Sequence, residues 1–394
     1  MNKPLLTIIT DWYWPNHGGI ETLTQTLASG ISKYYKVKIL THPAPNQKTL
    51  YQTYTTTFPY PQTDPAGNSI LYLRASVLDR FLLLPLLIRE IPKIGKSVRI
   101  YDLLYVFYRM VFYSRLKKLL TVPQKTSIVH CFSTGYLARC VSEVCQDLRL
   151  ALVHTPSIHS GRWGDSPAQM IAYVKADVVT FLSEYLKTVF LLKIRLPQGC
   201  STRVIPPLSK ELTSSDTHLP HPDKFILFLG RREKHKGLPM VLEALDRMKN
   251  RMHLVVAGPG EPKISECPQV TDLGVVDEAT KGSLLKLCNI LCVPSTDETF
   301  GIVYTEAMSC SKPIVALDIP PINEIVQNGV TGILVPPDDA SALADALDRV
   351  GSDRELSENM GKRAYERFTA YYSSDRILEN LEKMYRGLIE RKGN

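Results

Sequence analysis

Apolar, β-branched runs alternate with helical patterns twice over in this sequence, and no other feature narrows its fold as far. The first series reads "LLTIIT", "GIETLTQTLASGI" and "YKVKILT", and later "SIVHCF", "LALVHT" and "DVVTFL". A short apolar run followed by a 3.6-residue periodicity reads as a buried parallel strand with its crossover helix. A second series opens after Pro206, Pro207 and the polar stretch "SKELTSSDTHLPHPDK". It runs "FILFLG", "GLPMVLEALDRM", "MHLVVAG", "QVTDLGVV", "EATKGSLLKLC", "ILCVPS", "PIVALD" and "TGILVP". The expectation is an α/β chain of two doubly wound domains, residues 1–205 and 206–372, with a ligand cleft between them. In "SDRILENLEKMYRGL", Ile377, Leu378, Leu381, Met384, Tyr385 and Leu388 fall at helical spacing, so residues 373–394 read as an amphipathic closing helix. A length of 394 residues with 44% hydrophobic content is enough for two cores.

Charge narrows the partners. A net charge of +8 suits phosphate-bearing ligands or an anionic membrane surface and is too mild to imply nucleic acid. The cysteines show no CxxC spacing, and no charged-then-apolar leader precedes "LLTIITDWYWP", so the expected compartment is a reducing cytoplasm. Cys288 and Cys292 lack nearby His or Cys partners and read as small core residues in preference to metal ligands. Residues 81–120, "FLLLPLLIREIPKIGKSVRIYDLLYVFYRMVFYSRLKKLL", mix apolar and aromatic residues with many cations and few acids. No apolar run there is long enough to span a bilayer. Two readings stand side by side: an interfacial segment with its cations on anionic lipid, or core helices with basic outer faces.

Two turns of the second series carry the candidate chemistry. In "LFLGRREKHKGLPMVLEAL", Arg231 and Lys236 lie on a strand-to-helix loop bounded by Gly230 and Gly237. Two such cations can converge on one diphosphate, and the glycines let the backbone come close. Taken alone, "RREKHK" reads equally well as a solvated loop. In "TDETFGIVYTEAMSCSKPIVALD", Glu298 lies in a turn and Glu306 in the following helix, with Phe300, Gly301, Ile302 and Val303 between them. The N–H groups of residues 300–303 would face phosphate oxygens at a helix N-terminus. Glu306 would accept from the ribose hydroxyls, and Glu298 would reach the sugar beyond the phosphates. Standing alone, Glu298 reads first as a dipole-favoured acid near a helix start and Glu306 as a solvated helix residue. In a parallel sheet both turns lie at the carboxyl ends of strands, where ligands bind. An NAD-dependent oxidoreductase is disfavoured: "LVVAGPGEPK" has a GxG after a strand, but Lys263 stands where the third glycine belongs.

On these residues the chain resembles the retaining GT-B glycosyltransferases of the large family 4 type, the glycosyl transferases group 1. The resemblance is carried by Glu298 and Glu306 in "ETFGIVYTEAM", by "GRREKHKG", "VVAGPGEP", "VTDLGVV", "VPS" and "EIVQNGVTGILVPPDD", in order across residues 225–350. It is thinner in the first half, at "DWYWPNHGGIETL" and "KADVVTFLSEYLK". It implies two Rossmann-like domains facing a central cleft, the first for the acceptor and the second for the nucleotide sugar, with the C-terminal helix closing back on the first domain. It implies transfer of a sugar from a UDP or GDP type donor to an acceptor hydroxyl, with retention of anomeric configuration. Arg231 and Lys236 would hold the diphosphate, Glu306 the ribose, and Glu298 the transferred sugar. Gly18 and Gly19 would let the first domain's loop close on the phosphates. A histidine near the reacting carbon is His154 or His159, the latter favoured because it follows the Thr155–Pro156 pair.

No cofactor is expected, and no metal, because Asp-x-Asp is missing and protein cations can take its place. The acceptor is expected to be a glycan or a lipid-linked one, met by peripheral association with the cytoplasmic membrane face. Ser311 in "SCSKPIV", Pro320 and Pro321 in "DIPPINEIV", and the missing Asn-Gly in "VIPPLSKEL" depart from the family pattern around the sugar pocket. Two rival readings are a nucleotide-sugar epimerase of the same fold, which needs no acceptor, and a non-catalytic partner subunit. Intact Glu298, Glu306, Arg231 and Lys236 argue against the second.

Overall fold

Among the described residues, thirteen strands form two sheets in which every strand pair is parallel. The computed structural model describes residues 3–13, 19–42, 50–55, 61–90, 98–122, 126–156, 166–209, 212, 224–261 and 267–393. The chain divides into two compact units. One comprises Met1–Leu182, Leu186–Leu208 and Leu378–Asn394, and the other Ser183–Tyr185 and Ser209–Ile377.

The first sheet contains β1 (Leu5–Ile9), β2 (Lys36–Thr41), β3 (Ser69–Tyr72), β4 (Ile128–Cys131), β5 (Ala151–His154), β6 (Val178–Phe181) and β7 (Ser201–Val204), in the order β3-β2-β1-β4-β5-β6-β7. β1, β4, β5 and β6 are buried along their whole length, and helices cover both faces of such a sheet, which explains their unbroken apolar runs. Ile8 pairs with Ile39 on one side and His130 on the other. The edge strands β3 and β7 were not among the runs read from the sequence. "SILY" and "STRV" are half-exposed at the rim, so neither needs a continuous apolar stretch.

The helix Val98–Thr121 buries Leu104, Tyr108, Phe112 and Leu116. It packs on the helix Gly135–Leu148, where the Tyr108 and Tyr136 ring centroids lie 5.8 Å apart. The C-terminal helix Ser374–Gly393 closes on the first sheet: the Tyr385 hydroxyl lies 2.5 Å from His130 Nδ1, and Lys392 pairs with Asp177 at 2.9 Å.

The second sheet contains β8 (Phe225–Leu229), β9 (His253–Ala257), β10 (Val270–Gly274), β11 (Ile290–Cys292), β12 (Ile314–Leu317) and β13 (Gly332–Val335), in the order β10-β9-β8-β11-β12-β13. Strand order reverses between β8 and β11. The helix Glu278–Leu287 starts where Asp277 accepts from the Thr280 N–H, and the helix Ala340–Ser352 where Asp339 accepts from the Ala342 N–H, each a side-chain cap on a free donor. Cys288 and Cys292 are both buried core residues, and burial pushes the Cys288 thiol up to about 12 and that of Cys292 higher still. No described helix is long and apolar enough to cross a membrane.

Candidate functional site

The turn after β8 is pressed against the turn after β11, and glycine makes this possible. Gly237 has φ +80°, and a Cβ there would lie 2.1 Å from the Pro294 carbonyl oxygen, so no other residue fits. The Thr296 N–H donates to the His235 carbonyl at 2.7 Å and stitches the two turns together. Arg232 is the buried residue of the basic run: it grips Asp272 of β10 with both terminal nitrogens, at 2.7 Å through Nη1. Its N–H donates to the Pro259 carbonyl at 2.9 Å. Lys236, at the end of a 3-10 turn, is thereby placed 2.6 Å from Glu298 Oε1. Both side chains are mostly covered, at 17% and 11% exposure. Arg231 is turned out at 63% exposure and pairs with Glu233 of its own loop at 2.6 Å.

Beyond Glu298 the chain enters the helix Ile302–Ser309. Gly301 initiates it at φ +95°, and a Cβ there would meet the Tyr304 ring at 2.5 Å. The Tyr304 hydroxyl donates to the Val293 carbonyl at 2.8 Å, fixing the helix start to the end of β11. Phe300 is buried edge-on against Tyr372, with Ile302 and Val303 half-buried. The helix therefore presents its N-terminal turn, whose N–H groups have no carbonyl a turn behind them, at the carboxyl end of the sheet.

Glu306 is not a solvated helix residue. It is buried and accepts from Lys281 Nζ at 2.8 Å, while Lys281 also reaches Glu278 at 2.9 Å. Burial works against the Lys281 charge, but the Glu306 and Glu278 carboxylates outweigh it and raise the ammonium above the ordinary lysine value. Two lysine–glutamate pairs, Lys236–Glu298 and Lys281–Glu306, thus stand around the β8/β11 switch point, where doubly wound sheets bind ligands.

Comparison with known proteins fits this geometry. The family model described as glycosyl transferases group 1 matches residues 209–367, the stretch that contains both turns. Over 241 residues the chain is 28% identical to an alpha-D-kanosaminyltransferase of Streptomyces kanamyceticus, covering 56% of this chain and 62% of that relative. Over 163 residues it is 34% identical to a phosphatidyl-myo-inositol mannosyltransferase of Mycolicibacterium smegmatis, covering 39% and 42%. These matches span less than two thirds of each relative's length. In fold, the chain resembles sucrose-phosphate synthase from Thermosynechococcus elongatus (TM-score 0.69, 20% identity, 99% of this chain and 100% of that one). It also resembles HepE of Anabaena, solved with UDP and glucose (TM-score 0.70, 15% identity, 98% and 100%). The likeness is one of fold: two units, each built on a parallel, Rossmann-like α/β sheet.

Within the matched stretch, Lys281 and Arg232 are the residues that sequence reasoning passed over. Lys281 belongs to "EATKGSLLKLC", remote in sequence from both turns, and its one signal was a lysine a turn inside a capped helix. In the first unit, Gly19 opens the helix Gly19–Ile31, and a Cβ there would meet nothing within 4 Å. His154 is fully buried beneath the helix Gly135–Leu148, its Nε2 2.8 Å from Ser142 Oγ, and burial lowers its pKa to about 3. It is a core histidine rather than one open to substrate. Gly18 and His159 lie outside the described residues. Asp11, just past β1, accepts from the Thr134 N–H at 3.1 Å; burial pushes its carboxyl up to about 6, with bonds from Ser133 and Thr134 holding it back.

Proposed function

We propose that this chain is a glycosyltransferase that moves a sugar from a nucleotide-diphosphate donor, of UDP or GDP type, to an acceptor hydroxyl. The reading assigns donor binding to residues 206–372 and acceptor binding to residues 1–205. The observation that carries it is the meeting of the two turns, with Lys236 on Glu298 at 2.6 Å and Lys281 on Glu306 at 2.8 Å. Paired charges of both signs suit a ligand that is anionic at its diphosphate and rich in hydroxyls on either side.

Lys236, Arg231 and the N–H groups of residues 300–303 would stabilise the diphosphate as the glycosidic bond breaks and its charge grows. Glu306, oriented by Lys281, would accept from the ribose hydroxyls, and Glu298 from hydroxyls of the transferred sugar. Retention is consistent with attack from the face that the diphosphate leaves, a departing phosphate oxygen taking the acceptor proton. No covalent carboxylate nucleophile of the glycosidase kind is needed. With protein cations on the diphosphate, no divalent ion is required there. His159 is the candidate contact near the reacting carbon, and Gly18 and Gly19 the loop residues near the phosphates.

HepE with its UDP and glucose, and relatives named for kanosaminyl and mannosyl transfer, support a donor of this class. The relative named for phosphatidyl-myo-inositol supports a lipid-linked acceptor; on this reading the chain would meet it peripherally at the cytoplasmic membrane face. Titration calorimetry with UDP, GDP and their sugar conjugates tests the reading on the wild-type chain and on Glu306→Gln. One base should bind in preference and the substitution should weaken it. Absence of binding by either nucleotide would overturn the assignment.

A further inference from the structure

The short helix Val77–Leu83 anchors through Leu83 and turns most of its apolar surface outward. Its polar side chains are tied to the protein: Asp79 accepts from the Ser76 N–H and from Arg115 of the helix Val98–Thr121, and Arg80 is half-buried. Leu83 is buried, but the helix's other apolar side chains face water, with Val77, Leu78 and Phe81 exposed to 67%, 77% and 66%. A surface helix ordinarily does the reverse. The 3-10 stretch Leu84–Glu90 continues the pattern, burying Leu86 and exposing Leu84, Leu87 and Ile88. The long helix Val98–Thr121 adds Leu103, Val106 and Met110, exposed at spacings of three and four residues, on the side opposite its buried Leu104, Tyr108 and Phe112. These three elements pack on one another. Single exposed apolar residues are ordinary, but a group of them on neighbouring elements marks an interaction surface.

Charge selects the occupant. Between residues 74 and 121 the acids are Asp79, Glu90 and Asp102, against a clear excess of Lys and Arg. Asp79 is engaged by Arg115 and Asp102 by Arg139. Arg74, Arg99 and Lys118 are exposed in the same region. A second copy of this chain would bring the same positive charge against it, whereas an anionic bilayer brings apolar depth beneath negative headgroups.

We propose that the face formed by Val77–Leu83, Leu84–Glu90 and the outer stripe of Val98–Thr121 seats in an anionic lipid surface, apolar side chains in the acyl boundary and cations on the headgroups. This deepens the peripheral-membrane reading above and rests on it for the location of the acceptor; nucleotide binding is measured separately, so either can fail without the other. The test is co-sedimentation of the full chain with phosphatidylcholine vesicles, with and without phosphatidylglycerol, at low and high salt. The chain should sediment with the anionic vesicles at low salt and be released at high salt. Leu78→Ser with Phe81→Ser should lower the partition coefficient at least about tenfold, as should Val106→Ser with Met110→Ser on the other helix. UDP or GDP affinity and the unfolding midpoint should stay unchanged in both. Three results would overturn the proposal: no sedimentation with anionic vesicles at low salt, undiminished sedimentation of both double variants, or a wild-type dimer that both double variants dissociate.

Discussion

The two sheets wind alike yet treat charge in opposite ways. In the second, the turns after β8 and β11 hold Lys236 against Glu298, and the helices Glu278–Leu287 and Ile302–Ser309 hold Lys281 against Glu306, charges kept in pairs although mostly covered. In the first, Asp11 aside, the strands' carboxyl ends carry histidines that burial keeps uncharged. His42 is wedged between the Leu73 carbonyl and the Tyr108 hydroxyl, His130 between Tyr385 and Thr155, and His154 against Ser142. Topology decides where a site can lie, and side-chain charge decides whether a polyanion is received there.

The largest expected effect comes from acid. Burial lowers His42, His130 and His154 to about 3 each. Unfolded, a histidine takes its proton near 6.5, so below that pH the unfolded chain binds protons that the folded unit refuses. The stability these residues contribute is present above about 6.5 and is lost as pH falls toward 3, at about 1.4 kcal/mol per pH unit for each. Asp11 works the other way, because its folded value near 6 lies above the unfolded one, but it offsets only one histidine. Between pH 6 and 4 the first unit should therefore lose several kcal/mol, while the second, where burial lowers one part-buried histidine, His253, in the same direction, should lose less. Hydrogen exchange followed by mass spectrometry over that range reads the units separately, and simultaneous loss of protection in both would break the contrast.

Next in size is Gly237→Ala. The left-handed backbone costs an alanine about 1–2 kcal/mol, and the contact with the Pro294 oxygen adds about 1–3. The same exchange measurement should show the second unit destabilised and the first untouched, with nucleotide binding lost because Lys236 no longer meets Glu298.

A smaller effect separates the two cations. Lys236→Ala should weaken nucleoside-diphosphate affinity by about 1.5–3 kcal/mol, the range for a charge-assisted hydrogen bond. Arg231, exposed and paired within its own loop, should cost about 1 kcal/mol or less. Calorimetry on the two variants ranks them, and equal losses would mean that Arg231 swings inward when the donor binds.

Much of the fold was legible because buried parallel strands must be continuous apolar runs, as in "FILFLG" and "LALVHT". β3 and β7 escaped because edge strands need no such run. The turns carrying Lys236, Glu298 and Glu306 stood out because lysine and glutamate flank glycines at strand ends. Lys281 and the Arg232–Asp272 pair were hidden, since each joins segments that are distant in sequence and only the winding of the second sheet brings them together. The outer face of Val98–Thr121 was ambiguous for a related reason: a helix apolar on both sides shows little periodicity, and which side is covered is decided by its neighbours.

The smallest expected effect is none at all, and it bears on what the charges of the second unit are for. A diphosphate leaving group gains charge as its bond to the sugar breaks, and something positive must meet it. Lys236 already sits beside Glu298 at 2.6 Å, held by loops that Gly237, Tyr304 and Arg232 pin in place, and the helix from Ile302 adds its positive end. If these groups carry the stabilisation, sugar transfer should proceed at an unchanged rate in EDTA, and added Mg²⁺ or Mn²⁺ should not raise it. Lys236→Ala should then lower turnover by about 10²–10³-fold, the loss expected when one preorganised donor to a developing anion is removed. Transfer abolished by chelation and restored by a divalent ion would instead assign the leaving-group charge to a metal and reduce Lys236 to a partner of Glu298.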